Sequence, residues 1–143
     1  MAFMHKDGRG FCPSGTGKKL AMSNTNGQIP TNKQILQTTH TWDGINYQHY
    51  PTGQPQLTVL RIAVPPNTAL DWHRHPVISV GYVLAGKMTI EKRDTGERTI
   101  LNAGQSLAET VQATHRGFTT DEPVELVVFY VGQVGTPITI NEE

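Results

Sequence analysis

At 143 residues, with twelve basic and twelve acidic side chains and no net charge, the chain is long enough for one domain with a sizeable core and too short for two ordinary ones. The charge balance gives no electrostatic ground for nucleic acid or an anionic membrane as a partner, and the sequence holds no run of apolar residues long enough to cross a bilayer as a helix. The one cysteine, Cys12, has no internal partner and is assigned no role.

Residues 1–34 are rich in Gly, Asn, Ser, Thr and Lys without a sustained period, which predicts an irregular or disordered arm ahead of one domain over residues 35–143. The fragment CPSGTGKK falls short of a phosphate loop, because Cys12 stands where a Gly is needed and Lys19 where a Ser or Thr is needed. The arm also lacks the apolar core of a secretory signal, so the chain reads as cytoplasmic or as the mature form of an exported protein. In residues 35–50, Trp42, Tyr47 and Tyr50 surround an Asp43-Gly44 turn signal, consistent with a short hairpin or edge strand. His40 and His49 lie there without a partner at ligand spacing.

From Leu57 onward the pattern is β throughout. LTVLRIAV places Leu60, Ile62 and Val64 on one face and ends at Pro65 and Pro66. The histidine strand follows, then ISVGYVLAG, KMTIEKRD, ERTILNAG, QSLAETV and VELVVFYVG, separated by turns that include Ala85-Gly86 and Asn102-Ala103-Gly104; GTPITINEE adds a possible edge strand. Short strands at roughly ten-residue spacing with no helical period predict an all-β antiparallel sandwich or barrel. Tyr82, Met88 and Phe129 read as core or pocket lining.

Side chains alternate faces along a strand, so His73 and His75 point the same way, and two imidazoles on one face can share a metal. Asp71 and Ser79 have the same parity. Asp71 is a candidate acceptor for an imidazole N–H or a loop acid; the Ser79 hydroxyl faces the same cavity. In QSLAETV, Leu107, Glu109 and Val111 share a face, which makes Glu109 an inward-pointing acid if that face is the interior. An inward carboxylate needs a metal or a cation. Glu109 therefore joins the site, sits at the barrel mouth, or pairs with Arg61, Arg74 or Arg116. Arg116 reads equally as a binder of a substrate carboxylate and as a partner in a surface ion pair.

The segment ending at Gly86 resembles the first signature of the cupin family: a His-x-His pair, a Glu four residues on, and a Gly seven beyond that. His73, His75 and Gly86 match, and Ser79 stands in the Glu position. Gly104 and His115, eleven apart, resemble the second signature, with Thr110 and Gln112 where a Pro and a Gly usually lie. The resemblance covers about residues 55–132 and implies a double-stranded β-helix, the jelly-roll barrel of cupins. It further implies a divalent transition metal (Fe, Mn, Ni, Cu or Zn) held by His73, His75 and His115, with Glu109 a candidate for the missing carboxylate. The family hosts dioxygenases, isomerases and lyases as well as non-catalytic modules that bind or sense small molecules, commonly as homodimers. Resemblance thus points to a small-molecule enzyme, or alternatively to such a binding module.

Overall fold

β-branched and aromatic residues with period-two burial fill the chain from Pro55 onward, and the computed structural model, which describes residues 27–143, builds them into eight strands and no helix. They are β1 (Pro55–Val64), β2 (His73–Arg74), β3 (Ile78–Lys92), β4 (Arg98–Asn102), β5 (Ser106–Ala108), β6 (His115–Phe118), β7 (Val124–Gln133) and β8 (Ile140–Asn141). Gln34–Glu143 folds as one compact unit. The predicted arm, with Cys12 and the CPSGTGKK fragment, lies mostly outside the described residues.

All pairings are antiparallel, in the order β1-β7-β3-β6-β2-β8, with β4 and β5 also on β3. β3 organises this curled sheet. Its first half pairs with β7 and β5, Val80 lying between Phe129 and Ala108, while its second half pairs with β4 and β6, Thr89 lying between Ile100 and Phe118. The sequence predicts two strands joined by a turn at Ala85-Gly86; the structure has one strand bent there. A register shift between Val83 and Ala85 supplies the bend. Gly86 then takes φ +76°, and a Cβ on it would lie 1.9 Å from the Pro123 carbonyl oxygen, so only glycine lets β7 begin so close.

Inside the curl lie Val64, Val83, Met88, Ile90, Leu101, Leu107, Val124, Leu126, Val128 and Tyr130. β7 shows the logic most plainly: Val124, Leu126, Val128 and Tyr130 are buried, and Phe129 between them is 49% exposed. Each buried aliphatic side chain of that row is worth about 1.5–3 kcal/mol. Phe129 therefore corrects the expectation of core or pocket lining, because its parity puts it on the outer face.

The Asp43-Gly44 signal does form a tight reversal, with His40 bridged to Asn46 and Gly44 at φ +89°. The Trp42 amide donates to the Ala108 carbonyl at 2.9 Å, and Lys92 Nζ meets the 2%-exposed Asp43 carboxylate at 2.8 Å. These contacts pin the segment against β5 and the end of β3.

Candidate metal centre

β2 and β6 run side by side with His73 opposite His115, and His75 follows one residue past β2. That pairing brings residues 42 positions apart in sequence into one cluster. The three ring centroids are 4.6–5.0 Å apart, and one ligand nitrogen from each lies within 4.8 Å of the others. His75 and His115 are 2% and 1% exposed.

Each ring is held from behind by a backbone carbonyl. His73 Nδ1 donates to Asp71 O at 2.7 Å, His75 Nδ1 to Ile138 O at 2.8 Å and His115 Nδ1 to Ala113 O at 2.9 Å. A carbonyl oxygen only accepts, so Nδ1 carries the hydrogen in each neutral ring and the Nε2 lone pair is left for another partner. Hydroxyls of Thr110 and Thr139 sit 3.0 and 3.2 Å from Nδ1 of His115 and His75. His115 Nε2 is buried with no hydrogen-bond partner. Such an orphan is costly in a folded chain, and an ion at the convergence of the three Nε2 atoms would satisfy it. The donor set fits a first-row divalent cation.

Burial pushes the His73 and His115 imidazoles below their ordinary range, against the opposing pull of their carbonyl partners, which favours the neutral form a metal requires. Glu109, one residue past β5, turns its carboxylate into the cluster, with Oε2 3.6 Å from His75 Nε2 and Oε1 4.0 Å from His115 Nε2. The three arginines that the sequence offered as its partners are engaged elsewhere. Arg61 pairs with Glu125, Arg74 with Glu142, and Arg116 with Glu91. Ser79, wholly buried, donates its hydroxyl to Glu109 Oε2 at 2.6 Å.

At two positions the sequence leaves two roles open. Asp71 does accept the His73 N–H, but through its backbone carbonyl rather than its carboxylate. Arg116 lies on the face of β6 opposite His115, stacked 4.3 Å from the Trp72 ring centre and bonded to Glu91, so it belongs to an ion pair and does not line the histidine cavity. Parity also fails at Val111, which lines a different hollow with Tyr47 and Gln112. The alternation ends because β5 stops at Ala108 and the chain bends at Val111 and Gln112, where Gln112 adopts φ +63° and its amide binds His75 O at 2.8 Å. A left-handed backbone therefore survives where the family signature has its Gly.

Sequence reasoning anticipated the edge strand that the last segment supplies, β8 on β2, but missed the Ile138 carbonyl and Thr139 that this segment sets behind His75. It also missed Tyr130, whose ring meets His75 edge-on at 5.4 Å. Burial first, then the charge of Glu109, hold the Tyr130 phenol well above its usual range, so it stays protonated. The cavity over the cluster measures about 290 Å³, and Leu60, Ile62, Leu126 and Val128 give it apolar walls.

Residues 60–130 match a family model described as a cupin domain. No curated protein is significantly similar in sequence. Among solved structures, the DMSP lyase DddQ from Ruegeria pomeroyi DSS-3 superposes with a TM-score of 0.53 at 20% identity, over 59% of this chain and 42% of that one. A cupin-like protein from Thermotoga maritima MSB8 gives 0.54 at 21%, over 60% and 64%. The polyketide cyclase RemF from Streptomyces resistomycificus gives 0.53 at 19%, over 64% and 63%. The matched part spans less than two thirds of each, and at these identities the likeness is one of fold.

Proposed function

This chain is a cupin, and on that premise we propose that it is a metal-dependent enzyme acting on a small molecule in the cavity above His73, His75 and His115. The observation that carries the reading is the buried, unpartnered Nε2 of His115, set where the other two imidazoles converge. Iron, manganese, nickel, copper or zinc would be held by the three Nε2 atoms and the Glu109 carboxylate. Once bound, such an ion supplies Lewis acidity and, if redox-active, a route for electrons.

The chain's own groups define the rest of the site. Backbone carbonyls of Asp71, Ala113 and Ile138 fix the tautomer and aim of each imidazole, a support that holds ligands in place in metal sites generally. Leu60, Ile62, Leu126 and Val128 exclude water from one side of the cavity and favour a ligand with an apolar body. Tyr130, protonated across the physiological range, sets its ring edge against His75 and its hydroxyl against Thr139. Lyase, isomerase and dioxygenase chemistry all suit this arrangement, and an oxygen electrode separates the last from the others.

The test is elemental analysis by plasma mass spectrometry on protein purified without chelator or immobilised nickel, followed by turnover assays on the loaded protein. About one equivalent of metal per chain is expected. A chain that takes up no metal even after reloading overturns the reading, and ligand binding without turnover would reduce it to a binding module. A homodimer belongs to the same proposal: Leu57, Val59 and Phe129, 75%, 56% and 49% exposed, lie on the outer face where Val59 pairs with Phe129, and a second copy would cover them. Light scattering of Phe129→Glu, expected to be monomeric against a dimeric parent, tests it.

A further inference from the structure

The carboxylate in this cluster does not come from the strand on which the family signature places it. Ser79 stands in that position on β3, wholly buried, and Glu109 comes instead from the residue following β5. The two are joined twice: the Glu109 amide donates to the Ser79 carbonyl at 3.0 Å, and the Ser79 hydroxyl donates to Glu109 Oε2 at 2.6 Å. The second bond has the length of a charge-assisted O–H···O⁻ contact. A glutamate side chain has three rotatable bonds, and no arginine fixes this one. Ser79 is the group that does.

Resting on the metal reading above, we propose that Ser79 is the positioning residue for Glu109: the serine hydroxyl aims a carboxylate borne by the neighbouring strand at the point where the His75 and His115 Nε2 atoms converge. With Oε2 bridged to Ser79 and lying 3.6 Å from His75, Oε1 is turned to within 4.0 Å of His115. The site thereby recovers a negative ligand although β3 carries none. Positions 79 and 109 are two alternative stations for one carboxylate, joined by a hydrogen bond short enough that a longer side chain at 79 reaches the place where the Glu109 carboxylate now sits.

The experiment measures zinc affinity by chelator competition, and the visible absorption of the cobalt-substituted protein, for wild type, Ser79→Ala, Glu109→Ser and the exchanged double variant Ser79→Glu/Glu109→Ser. Ser79→Ala is expected to weaken zinc binding about 10–100-fold and to alter the cobalt spectrum, as loss of a group that orients a ligand does. Its metal-free form should still fold with a modestly lower unfolding temperature, because Ala fits the Ser site without a clash but leaves Glu109 Oε2 short of one donor. Glu109→Ser should bind more weakly still, and the exchanged variant should return to within about tenfold of wild type. A wild type that binds zinc while Ser79→Ala binds equally tightly with an unchanged cobalt spectrum overturns the inference and leaves the metal reading standing. An exchanged variant no better than Glu109→Ser overturns the equivalence of the two positions. A wild type that binds neither ion overturns the metal reading itself, and this inference with it.

Discussion

β3 meets a buried carboxylate at each end, and the two ends treat it differently. At the far end Lys92 faces Asp43, 2% exposed, and Thr41 adds a hydroxyl at 2.5 Å. Burial works against the Asp43 charge, yet the Lys92 and Thr41 bonds hold its carboxyl below the usual range. Near the start, Ser79 gives Glu109 one hydroxyl, and the remaining neighbours are the Nε2 atoms of His75 and His115, at 3.6 and 4.0 Å. A complete ion pair anchors a hairpin; an incomplete one leaves room for a cation. The difference shows that a metal site is recognised less by its acids than by polar atoms the fold orients and then leaves without partners.

The sharpest way to break the comparison is His75→Ala, which should drop bound metal from about one equivalent per chain to a small fraction of that in plasma mass spectrometry, since it leaves two imidazoles and one carboxylate to hold the ion. At the opposite end, Lys92→Met strands the Asp43 carboxylate and should cost about 3 kcal/mol in urea unfolding, with the metal content of the folded protein unchanged. Acid separates the ends again. His73 and His115 have folded values below their unfolded value of about 6.5, so the unfolded chain takes up protons that the folded chain refuses once pH falls below it. Stability of the metal-free protein is whole above pH of about 6.5 and declines below it, by at most about 1.4 kcal/mol per unit for each histidine. The Asp43 contribution is present above its unfolded value of about 3.9 and is lost only as pH falls through the depressed folded value. Thermal unfolding at pH 8, 6, 5 and 3 resolves the two phases. The smallest effect is expected for Arg116→Ala, whose charge already faces Glu91; zinc affinity should stay within about twofold of wild type.

Much of the site was legible because it obeys local rules. Strand parity places His73 and His75 together, and it carries correctly to Glu109. Parity could not reach Val111, because β5 ends at Ala108 and the chain bends at Val111 and Gln112, where no alternation rule applies. Arg116 sits next to His115 in sequence, which left a pocket role and an ion pair equally open; adjacency on a strand means opposite faces, and Trp72 and Glu91 claim it. The bend in β3 was misread as a turn because a glycine at positive φ serves both, and only the Pro123 carbonyl beside Gly86 tells them apart. The tail showed no chemistry in sequence because its contribution is a backbone carbonyl, which every residue possesses.

The amino-acid sequence by itself determined the all-β class, an antiparallel sandwich or barrel and the types of ligand available, since these follow from period-two alternation and from which side chains carry nitrogen or oxygen donors. Only the tertiary structure decided which of them meet. It set His115 across from His73, sent three arginines to other carboxylates and tied Glu109 to Ser79. Those outcomes depend on register between strands distant in sequence, and register is settled by the packing of the whole sheet.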